Sequence, residues 1–167
     1  MKPTTIIGSI FLTAALVALD QWSKLFATNN LMGRADMVLI ENVLSLTFLR
    51  NFGAAFGILQ GGRWILLGLT ALIMIAIVIY YVKLPNSRVY NVLRFALILI
   101  AAGGIGNSLD RLLNGYVVDF LRFDFINFPI FNVADIYVVT GTILLGIIVI
   151  FFIKDEKPAE KEDTRNE

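Results

Sequence analysis

Four uncharged apolar runs punctuate this chain: Pro3 to Leu19, Trp64 to Val82, Phe95 to Leu109 and Ile136 to Ile153. Each approaches the roughly 20 residues that an α-helix needs to cross a bilayer. In hydrocarbon, a helix satisfies its backbone polar groups from within a single segment. The first run continues through "DQWSK" to Lys24 as one helix. A secretory leader is the competing reading, from Lys2 ahead of the run and the small residues of "ALVALD", but the run is long for a leader's apolar part. Four spans place both ends of the chain on one side of the membrane. The expected fold class is an all-α polytopic membrane protein with four transmembrane helices. A mean hydropathy of +0.77 with 16% charged residues agrees, being too apolar for an ordinary soluble domain.

The basic residues set the orientation. Cytoplasmic loops gather Lys and Arg, and placing both termini inside puts Lys2, Lys83, Arg88, Arg94, Lys154, Lys157, Lys161 and Arg165 in the cytoplasm. The short loop from Lys83 to Arg94, turning at Pro85 and Asn86, has no acidic residue, whereas the opposite segments hold all seven acids outside the tail. Residues 1–153 form one membrane domain, and 154–167, "KDEKPAEKEDTRNE", is a solvated charged cytoplasmic tail.

The outer segment at about 28–62 is more than a linker. "VLSLTFLR" (43–50) alternates, with Leu44, Leu46 and Phe48 on one face and Ser45, Thr47 and Asn51 on the other, as in a half-buried strand. "YVVDFLRF" (116–123) is a second candidate strand, so a small sheet on the outer surface is expected.

Absent residue types limit the chemistry. There is no cysteine, which excludes disulfides, thiol nucleophiles and thiolate metal sites. There is no histidine either, which excludes Ser-His and Cys-His pairs and the HExxH zinc helix. No metal ion or other cofactor is expected. The balance of 14 basic against 13 acidic residues creates no field that would favour nucleic acid. Acid-base work near neutral pH falls to carboxylates, Lys or Tyr with shifted pKa values.

The polar residues gather at one depth. Asp20, Lys24, Asn51, Asn107, Asp110, Arg111, Asp119, Asn132 and Asp135 all lie at the outer ends of spans or in the loops above them. Ionisable groups in or beside spans are costly, so such a cluster is a functional-site hypothesis. Structural roles are open to most of them. Asp20 and Lys24 can pair at i,i+4, Arg111 can pair with Asp110 at a helix end, and Asn132 with Asp135 can cap the fourth helix after Pro129. Asp124 reads as a solvated loop charge near Arg122. Asp119, between Val118 and Phe120 with no adjacent cation, has the weakest structural explanation.

Asp119 lies just past the third helix and Asp135 in the first turn of the fourth, so the loop between them can fold back and face them across one cavity. Two close carboxylates in a partly desolvated site share a proton, one pKa rising above the usual ~3.9. One can then activate water against a peptide carbonyl while its protonated partner polarises that carbonyl. Two other classes remain open on these residues alone: a small ion or proton transporter relaying through Asp20, Asp119 and Asp135, and a structural subunit using isolated polar contacts between helices.

With "DQWSK", "RNFGAAFG", "GGIGNSLDR", "VVDF" and "FNVAD" in this order along four spans, the chain resembles the bacterial signal peptidase II (lipoprotein signal peptidase) family over nearly its whole length. The resemblance implies an intramembrane aspartyl endopeptidase with Asp119 and Asp135 as catalytic carboxylates. Its implied substrates are diacylglyceryl-modified prolipoproteins, cut on the amino side of the lipidated lipobox cysteine. It further implies functional roles for Asp20, Lys24, Asn51, Gly53, Asn107, Asp110, Arg111, Asn132 and Ala134. The implied fold has four transmembrane helices, a small extracytoplasmic β-cradle and a mobile segment over the site. Membrane lipid is the expected surrounding and a monomer the expected working unit. Ile136 departs from the family pattern, where a small or hydroxyl residue is more usual beside the second aspartate.

Overall fold

The structure is a computed structural model that describes residues 3–54 and 58–153. The element order is α1 (Pro3–Leu31), β1 (Met37–Ile40), β2 (Leu44–Asn51), α2 (Arg63–Lys83), α3 (Arg88–Asn114), β3 (Val117–Phe123) and α4 (Val133–Ile148), the last continued by a π turn over Val149–Ile153. Expectations placed on Lys2, Ala55 and the tail from Lys154 lie outside the described residues.

All four α-helices are long and apolar enough to cross a membrane, the fourth counted through its π turn. Their outward faces show the reason: Phe11, Trp64, Leu72 and Phe151 are exposed apolar side chains of the kind that lipid, not water, covers. At about 1.5 Å per residue, the 29 residues of α1 outrun the roughly 30 Å hydrocarbon layer. Its last two turns therefore stand clear of the spans as a post for the sheet.

The connection between α2 and α3 is shorter than expected from the sequence. Pro85 lacks an N–H and restricts the residue before it, so α2 stops at Leu84. The next helix already begins at Arg88. Arg94, placed in this loop by its charge, is instead buried in α3 and donates to the Leu84 carbonyl at 2.6 Å and to Asn91 at 3.0 Å. Its guanidinium lies 5.8 Å from the Tyr81 ring centroid, and Tyr81 hydrogen-bonds Ser9 of α1. Arg94 thus ties α3 to the end of α2, and Tyr81 carries the connection on to α1.

The three strands form an antiparallel sheet in the order β1-β2-β3, with Leu49 opposite Asp119 and Asn51 opposite Val117. Both strands expected from the sequence exist, as β2 and β3. The sheet packs on the top of α1 through Ala27, Leu31, Leu46, Val118 and Phe120. A bulge between Leu46 and Leu49 resets the register. Ser45, expected on the polar face, is only 1% exposed because Arg122 and Asp124 fold over it. Arg122 also reaches Asp36 at 2.6 Å and Asp124 at 2.8 Å, joining the approach to β1 to the end of β3. Asp124 is thus part of a clasp with Ser45 and Arg122, more than a loop charge in water.

Helix α3 is the central helix, touching α1, α2 and α4. Close approach explains its glycines: a Cβ at Gly103 would collide with the backbone carbonyl of Ala134 and with Val138 on α4. This packing sets α4, and Asp135 in its first turn, against the outer half of α3.

Candidate active site

Asp119 reaches the site from the middle of β3 and is 2% exposed. Asp135 reaches it from the first turn of α4, where Asn132 and Asp135 form a reciprocal capping box. The Asn132 side-chain oxygen accepts the Asp135 amide at 3.0 Å, and Asp135 Oδ2 accepts the Asn132 amide at 3.1 Å. Capping therefore accounts for part of Asp135, but only one of its oxygens is used in the cap.

Three asparagine amides surround the pair, and the polarity of each is fixed by a neighbour that can only donate. Asn51 Oδ1 accepts the Gly53 amide, so its Nδ2 faces Asp119 Oδ2 at 2.8 Å. Asn132 Oδ1 accepts the Asp135 amide, so its Nδ2 faces Asp119 Oδ1 at 2.6 Å and Asn107 Oδ1 at 3.1 Å. Asn107 Oδ1 accepts Lys24 Nζ at 2.8 Å, so its Nδ2 faces Asp135 Oδ1 at 2.8 Å. Each carboxylate thus receives two N–H donors, and the amides of Asn107 and Asn132 connect them.

No cation contacts Asp119 directly among the described residues. Burial, followed by the charge of Asp135, pushes its pKa up to about 7, against the opposing pull of the Asn51 and Asn132 hydrogen bonds and of Lys24. A carboxyl group that titrates near neutrality, beside a second carboxylate, suits the exchange of one proton.

Below the pair lies a buried ionic cluster. Lys24 Nζ sits 2.9 Å from Asp20 and 3.1 Å from Asp110, all three side chains nearly inaccessible. The expected i,i+4 pair of Asp20 and Lys24 is therefore real. Its two acids also hold backbone: Asp20 Oδ1 accepts the Ala134 amide at 2.9 Å, and Asp110 Oδ2 accepts the Val118 amide at 3.1 Å. Val118 and Ala134 immediately precede Asp119 and Asp135. Gly106 leaves the room that Asp20 needs, since a Cβ there would collide with its carboxylate.

Arg111 departs from the expected pairing with Asp110, which Lys24 occupies instead. Its guanidinium donates to the Gly53 carbonyl at 2.9 Å and to the Asn107 carbonyl at 3.4 Å. Gly53 is buried, and a Cβ there would stand 2.7 Å from the Ile58 carbonyl. Arg111 and Asn51 together hold the start of the segment that leads toward α2. Ile136 is exposed, at 42% of its surface.

Asp20, Lys24, Asn51, Asn107, Asp110, Asn132 and Ala134 thus lie at the carboxylates or in the ionic cluster, Arg111 and Gly53 hold the adjoining segment, and Asp124 lies apart in its clasp with Ser45 and Arg122. Gln21 was missed: its Nε2 lies 3.1 Å from Asp20, from Asp110 and from the Gly106 carbonyl. The available signal was an amide between Asp20 and Lys24, at a depth where unpaired polar groups are costly.

A family model described as Signal peptidase (SPase) II matches residues 12–152. The lipoprotein signal peptidase of Streptococcus agalactiae serotype Ia is 46% identical over 136 residues, covering 81% of this chain and 87% of that protein. The lipoprotein signal peptidase of Clostridioides difficile (strain 630) is 40% identical over 143 residues, covering 86% of this chain and 95% of that protein. Among solved structures, one described as a bacterial membrane enzyme at 2.3 Å resolution superposes with a TM-score of 0.81 at 34% identity, over 93% of this chain and 94% of its own. A second, described in the same words at 1.9 Å, gives 0.78 at 35% identity, over 88% and 95%.

Proposed function

This chain belongs to the signal peptidase II family, and we propose that it removes signal peptides from prolipoproteins, with Asp119 and Asp135 as its catalytic carboxylates. It is a multi-pass bacterial membrane protein of the aspartic peptidase type. The observation that carries the assignment is the pair of aspartates joined through Asn107 and Asn132, each receiving N–H donors.

The chemistry follows from one proton shared by two carboxyl groups. The ionised carboxylate takes a proton from water, whose oxygen attacks the carbonyl carbon of the scissile peptide. The protonated partner donates to the carbonyl oxygen as charge develops there. When the C–N bond breaks, the proton collected from water passes to the leaving amine, a hydroxyl of the collapsing gem-diol returns its proton to the partner carboxylate, and the pair is back in its starting state. The asparagine amides hold both carboxylates in place before substrate arrives, so little reorganisation accompanies the reaction.

The cut falls on the amino side of a lipobox cysteine carrying a diacylglyceryl group. The apolar, lipid-facing helix surfaces suit lateral access by acyl chains, and the binding energy of those chains would hold the scissile bond at the carboxylates. Both termini are cytoplasmic and the carboxylates lie near the extracytoplasmic face, an orientation supported by the basic cytoplasmic loop. The test is a comparison of a lipidated and an unlipidated lipobox peptide with the purified protein. Cleavage confined to the lipidated peptide is expected, whereas equal turnover of the two would overturn the substrate assignment.

A further inference from the structure

We propose that Lys24 is a positioning residue for both carboxylates: through Asp20 and Asp110 it holds the backbone on which each aspartate stands, and through Asn107 it orients the amide that meets Asp135. The proposal rests on the assignment of Asp119 and Asp135 as the catalytic pair. Lys24 has three N–H donors and three acceptors, Asp20 at 2.9 Å, Asp110 at 3.1 Å and Asn107 at 2.8 Å. Each connection leads to the site in one further step. Asp20 accepts from Ala134, next to Asp135; Asp110 accepts from Val118, next to Asp119; Asn107 donates to Asp135.

A structural ion pair would need only one acid. Here a single buried ammonium bonds acids from α1 and α3, which in turn hold the start of α4 and the second residue of β3. The two catalytic elements are consecutive and already tied to each other by the Leu121–Phe131 bridge; the shared anchor fixes both of them to α1 and α3. Lys24 also acts on the pair by charge, because a cation favours the ionised form of a nearby carboxylate. The charged groups around the pair are Asp20 and Lys24 from α1, Asp110 and Arg111 from α3, Asp119 from β3 and Asp135 from α4. Strand β2 contributes the neutral Asn51.

Lys24→Met preserves length and apolar bulk but removes charge and donors. Asp20 keeps the Ala134 amide and Gln21, and Asp110 keeps the Val118 amide and Gln21, so negative charge remains beneath the site. Steady-state kinetics of the full chain with a lipidated lipobox peptide should show at least a roughly tenfold loss of kcat with KM nearly unchanged. The acid limb of the rate profile should move up by about one pH unit, because the base protonates more readily without the cation. Lys24→Arg, which restores charge and donors, should return the limb toward the parent position. Gln21→Leu loosens the same cluster without touching Asn107, so it should lower thermal stability and leave the limb in place.

Parental kcat and an unmoved limb in Lys24→Met would overturn the proposal, as would the same limb shift in Gln21→Leu. Should Lys24→Met fail to insert, Asn107→Leu tests the direct route, since it cuts the connection to Asp135 and spares both ion pairs; undiminished kcat there would also overturn it. Activity in Asp119→Asn or Asp135→Asn would instead defeat the assignment on which the proposal rests. Inactive aspartate variants beside a fully active Lys24→Met defeat the Lys24 proposal alone.

Discussion

Asn132 donates its side-chain amide to Asp119 Oδ1 at 2.6 Å, while the same side chain caps the helix that presents Asp135. One residue thereby links the strand-borne carboxylate to the helix-borne one. Asn132→Ala removes an N-cap and a buried amide at once. It should cost about 1 kcal/mol for the cap, with more from the unsatisfied groups left behind. The expected kinetic result is a fall in kcat larger than the loss of folded protein explains, measured on material matched for folding by thermal shift.

Asp119→Asn and Asp135→Asn, made singly, should each abolish nearly all turnover, because residues that act as a unit lose their effect together. Folding should survive, since Asn keeps the shape and much of the hydrogen bonding. Capping alone would predict an active Asp135→Asn, because an Asn side-chain oxygen at that third helical position can still accept the Asn132 amide. Asp124→Asn is the nearby control, its carboxylate being held by Ser45 and Arg122 away from the pair. Prolipoprotein cleavage in membranes reads all three, and an inactive Asp124→Asn beside active pair variants would reverse the assignment.

The raised pKa of Asp119 makes stability depend on pH with a definite sign. Its folded pKa of about 7 lies above the ordinary value of 3.8, so the folded protein binds the proton more tightly than the unfolded chain does. Asp119 therefore disfavours folding progressively as pH rises from about 4 to about 7, and the effect levels off above that. Asp119→Asn cannot ionise. Relative to the parent, its melting temperature should climb across this window and then run parallel. A parallel course throughout would show that Asp119 titrates as an ordinary carboxyl group.

Peptidase activity should be indifferent to chelators. A metal-dependent site would need a set of ligands, and neither His nor Cys occurs in the sequence. Activity that disappears with chelator and returns with zinc would refute the carboxylate mechanism.

Reporter fusions after Lys154 should score as cytoplasmic. Lys83 and Arg88 flank the tight turn at Pro85 and Asn86, and no acid offsets them. Arg94 contributes less to this signal than its sequence position suggests, being buried against Leu84 and Asn91.

The spans and the level at which the polar residues collect are properties of local composition. An uncharged run of suitable length partitions into lipid as a helix whatever its neighbours do, because hydrocarbon offers its backbone no other partner. The strand over 43–50 was likewise visible in alternation, and the capping role of Asn132 and Asp135 in their spacing. What three-dimensional packing alone decided is who pairs with whom. Arg111 stands next to Asp110 in sequence but serves Gly53, because Lys24, a helix away, takes Asp110 first. Gln21 looks like a neutral spacer and touches two buried acids, and Arg94 looks like a loop charge and lies inside α3. Local sequence fixes hydrophobicity and backbone preference over a few turns. The partner of a buried charge depends on which helices cross at its depth and on how closely glycines such as Gly103 and Gly106 let them approach.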